Sequence, residues 1–333
     1  MRDLADTARQ WAAQGRTGVL ARPITEQGFG PRHPADAVLI DEDGNCHGTL
    51  YRGVFDEHLA AQAAALTAGH TARVCDVSVH NDEVKQAGLT CGGQAELLLQ
   101  PLDTIPARWW ALLGEGADAA LVTRLDEGRT HAVSIVATPE QQDGVGAEGP
   151  GQAVERAREL LGRRRAGRDT RFTDDGLVLI ESFPAVPHLV IAGGGELAEL
   201  LVAQAHLLGS QATVAPAAQD AVKLLADRPA AACLIVLSHE PDVDIPALHT
   251  ALTTGIAYVG ALGSRRTQAR RAQALAESGL DEAHIGRIHG PIGLDLGART
   301  PAETALAVCA EVLAALDGRE GRVLHEEAGP INA

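Results

Sequence analysis

The 333-residue chain is 45% hydrophobic and carries 28 basic against 44 acidic residues, a formal net charge of −16. That length suits two cores, the acidic field disfavours nucleic acid and anionic lipid, and no apolar run approaches the ~20 residues of a bilayer span. A cytoplasmic protein with neither nucleic-acid nor membrane partners is expected.

The chain opens on an amphipathic helix pattern, MRDLADTARQWAAQG. Strand-like runs follow at 19–23, 37–40, 47–51, 72–79, 96–100, 119–124 and 132–137, with a DEDGN turn at 41–45 and a helix near 56–68. This texture predicts an α+β sandwich over residues 1–138, with no visible internal repeat. Residues 139–185, rich in glycine, proline and charge, read as a connector carrying one helix at about 153–164. From residue 186 to 317 short apolar runs alternate with amphipathic helices, the pattern of a parallel, doubly wound Rossmann-like sheet. Its strands are expected at 188–192, 212–215, 233–237, 256–259 and 285–288, and its helices at 197–208, 220–226, 245–253, 265–278 and 301–316. Residues 318–333 read as a loose tail.

Five cysteines, Cys46, Cys75, Cys91, Cys233 and Cys309, are an odd number with no C-x-x-C pair, which argues against a disulfide framework or a thiolate zinc site. Cys91 is followed by Gly92 and Gly93, a setting that suits either a reactive sulfur or buried filler. Upstream, GFGPR from Gly28 through Gly30 to Arg32 is a rigid turn that either presents the arginine to an anion or simply joins two elements.

In the C-terminal half, Gly193, Gly194, Gly195 and Glu196 lie in IAGGGELA, where Gly193, Gly195 and Ala198 match G-x-G-x-x-A between a strand and a helix. The carboxylate that reads ribose is missing, since Ala215 and Pro216 stand at the end of the second strand and Asp220 lies too far on. The third strand runs into LSHEPDVD, so His239, Glu240, Asp242 and Asp244 form an acid/base pair, a weak metal site or a helix cap. Two further turns open helices. In AYVGALGSRRT, Gly263 and Ser264 precede Arg265 and Arg266; in HGPIGLDLGARTPAE, Gly293 and Asp295 precede Thr300, Pro301 and Glu303 at N-cap, N1 and N3. Both read as anion-holding turns or as ordinary strand-to-helix connections.

In this order the motifs GFGPRHPADAVLIDEDG, GTLYRG, CGGQAELLLQPL, LVIAGGGELA, LIVLSHEPDVD, AYVGALGSRRT and HGPIGLDLGARTPAETALAVCAEVL resemble the XdhC/CoxI family over most of the chain. Those proteins are accessory factors of molybdenum hydroxylases such as xanthine dehydrogenase. The resemblance implies a carrier that binds molybdenum cofactor (molybdopterin), protects it while sulfur is installed from a donor, and delivers it to the large subunit of a hydroxylase, commonly as a homodimer. It implies that Cys91 touches the metal or its sulfur, and that Arg32, Arg265 and Arg266 steady the pterin phosphate. Gly30, Gly92, Gly93, Gly193, Gly194, Gly195, Glu196, Gly263, Ser264, Gly293 and Asp295 complete the implied cofactor-binding set. The chain departs from the family at three ligand-facing places. Val54 stands where a cysteine is usual, Glu196 replaces a histidine, and Ala215, Pro216 and Ala217 replace aspartate-proline-arginine. Two other readings stay open: an NAD(P)-dependent oxidoreductase using His239, Glu240 or Asp242 as proton donor, and a non-catalytic docking scaffold.

Overall fold

A computed structural model describes residues 1–29, 36–66, 69–79, 92–139, 142–143, 151–164, 166–173, 176–229 and 231–326. The chain forms two compact units, Met1–Pro184 and Ala185–Ala333. Among the described residues, no helix is long and apolar enough to cross a membrane.

The N-terminal unit runs α1 (Ala5–Ala13), β1 (Gly18–Gly28), β2 (Ala37–Asp41), β3 (Cys46–Thr49), α2 (Asp56–Ala64), β4 (Arg73–Val79) and β5 (Gly93–Pro101). It continues through α3 (Ala107–Gly114), β6 (Ala119–Leu125), β7 (Ala132–Ala137), β8 (Gln142–Asp143), α4 (Gly151–Gly162), β9 (Gly167–Thr173) and β10 (Gly176–Phe183). The second series repeats the first. Its antiparallel sheet has order β8-β7-β6-β10-β9, which matches β3-β2-β1-β5-β4 strand for strand.

The repeat extends to single hydrogen bonds. Arg16 N–H donates to Trp11 O after the left-handed Gly15, and Ala117 N–H donates to Leu112 O after the left-handed Gly116. Leu20 pairs with Gln100 as Leu121 pairs with Glu181, so Arg22 is equivalent to Thr123 and Gln100 to Glu181. These equivalent residues meet between the sheets. Arg22 is fully buried and donates to Glu181 at 2.6 Å, to Gln100 at 2.7 Å and to Thr123 at 3.2 Å. Ser134 joins Gln100 and Thr123 at 3.0 and 2.8 Å, and Arg168 gives Glu181 a second cation at 3.1 Å. Apolar clusters flank this polar centre on either side: Leu20, Leu39, Trp109, Trp110 and Leu121 in one, Ile24, Leu98, Leu125 and Leu179 in the other. The outer faces are covered by α2 through Leu59 and by α4 through Val154, Ala157 and Leu161.

Three features differ from the sequence reading. The repeat is not visible in the sequence, where equivalent positions such as Arg22 and Thr123 or Gln100 and Glu181 hold different residues. Helix α3 was not anticipated in ARWWALLG, whose Trp109, Trp110 and Leu113 are buried. Within the expected connector 139–185, residues 167–183 instead form β9 and β10. The first is an edge strand with mostly polar residues, and the second is a buried central strand.

The C-terminal unit contains β11 (His188–Ala192), α5 (Glu196–Leu207), β12 (Gln211–Ala215), α6 (Ala218–Asp227), β13 (Ala232–Val236) and α7 (Pro241–Thr253). It ends with β14 (Tyr258–Ala261), α8 (Arg265–Glu277), α9 (Glu282–Ile285), β15 (Ile288–His289) and α10 (Pro301–Leu316). The sheet is parallel, in the order β12-β11-β13-β14-β15. Apolar clusters pack on both faces, which is why its inner strands read as continuous apolar runs. The order reverses between β11 and β13, and their carboxyl ends frame the crevice where ligands bind in such sheets.

Helix α10 is fixed at its start by a complete capping box. Glu303 N–H donates to the Thr300 hydroxyl at 3.2 Å while the Glu303 carboxylate accepts from Thr300 N–H at 3.0 Å. Thr300→Ala is expected to lower the stability of the C-terminal unit by about 0.5–2 kcal/mol, read from its own unfolding transition in urea. An unchanged midpoint would show that the cap does not hold the helix.

Candidate functional sites

In the N-terminal unit three of the motifs converge. Gly28 has φ +85°, and a Cβ there would lie 2.4 Å from Gly92 O. A Cβ on Gly93 would lie 2.7 Å from Gln27 O. Phe29 N–H donates to Gly92 O at 3.0 Å, so the GFG turn and the glycines after Cys91 fit backbone against backbone. Phe29 then stacks on Tyr51 at 4.2 Å, and Tyr51 meets Phe55 edge-on at 5.6 Å. The Tyr51 hydroxyl donates to Glu26.

The GTLYRG loop is held in an unfavourable conformation. Tyr51 and Arg52 have φ of 49° and 58°, consecutive left-handed non-glycine residues, each costing on the order of 1–3 kcal/mol. Just beyond, Asp56 has a buried Oδ1 without a hydrogen-bond partner, and burial pushes its carboxyl pKa up. Cys46 Sγ lies 3.7 Å from Asp56 O, and burial, reinforced by Asp56 and Asp41, pushes its pKa up to about 11. Val54, where the resemblance implies a cysteine, is 37% exposed. Gly30, Arg32 and Cys91 lie outside the described residues. Glu26, Asp56 and the aromatic stack are not among the sequence-predicted site residues; Phe29 lies in the GFGPR motif and Tyr51 in GTLYRG.

In the C-terminal unit the turn after β11 and the loop after β13 touch. Leu237 and Ser238 N–H both donate to Ala192 O, at 2.8 and 3.1 Å. Gly193, at φ +119°, has its absent Cβ position 2.8 Å from Ser238 N, so only glycine lets the two loops close. Gly194 and Gly195 face open space, and no side chain caps the first turn of α5. Ala198 is buried against the core. This is an available anion-binding helix start, although Glu196, Glu240 and Asp242 are all exposed in the surrounding loops and first turns.

The LSHEPDVD residues separate into two groups. His239, Glu240 and Asp242 are exposed, whereas Asp244 is buried and pairs with Arg271 at 2.7 Å. Arg271 also donates to Ser238 O at 2.8 Å and Leu262 O at 2.6 Å, fastening the loops after β13 and β14 together. Burial pushes the Asp244 carboxyl up against the opposing pull of Arg271. Neither Asp242 nor Asp244 caps α7; the N-cap is Glu240, without a side-chain cap, and Pro241 starts the helix ahead of the expected residue 245. Among the described residues, no group of three or more His, Cys, Asp or Glu could hold a metal ion.

The two helix-opening turns also differ. At Gly263 and Ser264 the serine caps Thr267 N–H at 3.3 Å, with Arg265 and Arg266 exposed at the first helical positions. In the second turn, Gly293 N–H donates to Glu311, while Arg299 and Thr300 N–H donate to Glu303. These amides are committed to the chain's own carboxylates, whereas at the first turn the Thr267 amide is taken by the Ser264 hydroxyl. Asp295 is exposed.

Comparison with known proteins covers both units. A family model described as the XdhC Rossmann domain matches residues 189–312, and one described as the XdhC and CoxI family matches residues 11–78. The protein YqeB of Escherichia coli (strain K12) is 30% identical over 190 residues, covering 50% of this chain and 35% of YqeB. The molybdenum cofactor insertion chaperone PaoD of the same strain is 38% identical over 79 residues, covering 24% of this chain and 25% of PaoD. The chain thus spans about a third and a quarter of the lengths of these relatives. A crystal structure titled as a xanthine dehydrogenase from Bacillus halodurans shares the fold, with a TM-score of 0.59, 20% identity and 96% of each chain covered. With one model on residues 11–78 and the other on residues 189–312, together more than half of the sequence, the chain belongs to the XdhC and CoxI family.

Proposed function

We propose that the chain is a carrier that binds molybdenum cofactor and delivers it to a molybdenum hydroxylase, with a sulfur donor as a further partner and a homodimer as its assembly. One observation carries this reading: the turns at Gly28 and Tyr51–Gly53, both within residues 11–78 matched by the XdhC and CoxI model, converge with the Gly92–Gly93 turn beyond it, with left-handed backbone at Gly28, Tyr51 and Arg52. The relative named a molybdenum cofactor insertion chaperone supports it.

The residues present fit a phosphorylated pterin. The uncapped first turn of α5, open at Gly194 and Gly195, offers backbone N–H donors to a phosphate. Arg265 and Arg266 at the start of α8 offer guanidinium groups to one. When bound, the cofactor supplies its molybdenum and terminal sulfur. In the N-terminal unit, described by itself, Gly28 and Gly93 set the shape of the turn junction, and Phe29 and Glu26 fix the Tyr51 ring. The family resemblance implies Cys91 as the cysteine that touches the metal or its sulfur. A nicotinamide dinucleotide is less well served, because β12 ends at Ala215 without a ribose-binding carboxylate.

Gel filtration of the purified chain with molybdenum cofactor, and in parallel with NADPH, tests the reading. Comigration of the pterin is the expected result; tight nicotinamide binding without pterin would favour the oxidoreductase. Arg265→Ala is expected to weaken pterin binding by about 1–3 kcal/mol through loss of a charge-assisted phosphate contact. An unchanged affinity removes Arg265 from the site.

A further inference from the structure

One side-chain group in the C-terminal unit, which links α10 to β15 and to Gly293 in the turn that follows it, is arranged for proton transfer. Glu311 projects from α10, and its two oxygens engage different donors. One lies 2.8 Å from His289 Nδ1 and the other accepts Gly293 N–H, so the carboxylate cannot rotate away from the imidazole. The Tyr258 ring lies against the imidazole, with centroids 4.6 Å apart. Its hydroxyl is buried without a hydrogen bond of standard geometry, and burial followed by the charge of Glu311 pushes its pKa up. The inner side of the pair is thus closed by a neutral phenol. Gly260, paired with His289 in the ladder, leaves the space used by Tyr258 and Ile292; a Cβ there would lie 2.4 Å from Ile292 Cδ1.

An ionised carboxylate only accepts hydrogen bonds, so contact with Glu311 fixes the imidazole proton on Nδ1 and leaves the lone pair on Nε2. The His289 side chain is 42% exposed and Glu311 17%. The base is reachable while the group that orients it is sheltered. This is the orienter-and-base arrangement of acid–base catalysis, and neither His289 nor Glu311 is used in the cargo-binding reading above.

We propose that His289 is a general base of the C-terminal unit, positioned by Glu311, that takes a proton from a weakly acidic N–H or O–H of a small organic ligand at the exposed end of the sheet. The proton passes to Nε2, the bonding pair stays on the ligand nitrogen or oxygen, and the imidazolium is stabilised by Glu311. In this scheme Glu311 is a positioning residue.

Two measurements on the full chain test it. Nitrogen-15 NMR of wild-type protein, at a pH where the imidazole is neutral, is expected to show His289 with its proton on Nδ1. A proton on Nε2, or an equal mixture, overturns the proposal. Acylation by diethyl pyrocarbonate, read by peptide mass spectrometry, is expected to be severalfold slower at His289 in Glu311→Gln than in wild type, with exposed His206 unchanged as the internal control. Equal rates at His289 in the two proteins would reduce the pair to a structural contact. If the variant fails to fold, the wild-type tautomer decides alone.

Discussion

Replacing Glu181 with leucine is expected to destabilise the N-terminal unit by about 3–5 kcal/mol, because a buried guanidinium loses its counter-charge. The Glu181 and Arg22 side chains both have no solvent exposure. Arg168, only 11% exposed, loses its partner as well. The measurement is direct because all three tryptophans, Trp11, Trp109 and Trp110, belong to this unit. Tryptophan fluorescence in urea therefore reports its unfolding apart from that of the C-terminal unit. A midpoint shift equivalent to less than about 1 kcal/mol would mean that the centre relaxes and rehydrates around the substitution. Pairing Glu181→Leu with Arg22→Met should restore part of the loss, because an apolar pair removes the stranded charge.

The second large effect concerns the cargo. Gly28→Val places a branched side chain at φ +85° and against Gly92 O, which only 2.4 Å separates from the Cβ position. The GFG turn must then leave the glycines that follow Cys91, and Phe29 must leave its stack on Tyr51. Retention of molybdenum cofactor is expected to fall by more than about tenfold, or 1.4 kcal/mol. The tryptophan-monitored unfolding midpoint separates this from global loss of fold: a folded variant that retains cofactor as wild type does would remove this junction from the site.

What was legible in the sequence follows from how each segment is buried. The inner strands of the C-terminal sheet are covered on both faces, so 188–192 and 233–237 stand out as unbroken apolar runs that match β11 and β13 to within a residue. Strand β9 is an edge, with Arg171, Phe172 and Thr173 exposed, and its GRDTRFT carries no apolar alternation. The duplication was hidden for a different reason. Its centre works by complementarity, with arginine at one position and threonine at the equivalent one, so those positions share no residue type.

The sites show the same division. Glycine turns were readable because positive φ and close backbone approach leave few alternatives to glycine, as at Gly193 against Ser238 N and Gly28 against Gly92 O. Partnerships between distant side chains were not readable. Asp244 finds Arg271 across 27 positions and His289 finds Glu311 across 22; periodicity carries no information about either. Asp242 and Asp244 looked alike in LSHEPDVD, yet one faces solvent and the other is the buried anchor of two loops.

The carrier reading meets its most direct test in the chain as purified from cells that make molybdenum cofactor. Molybdenum content and extracted pterin fluorescence should both be stoichiometric with protein, and absent from chain purified out of cells unable to make the pterin. A fully folded chain holding neither above background, and acquiring neither when mixed with isolated cofactor, would contradict the account.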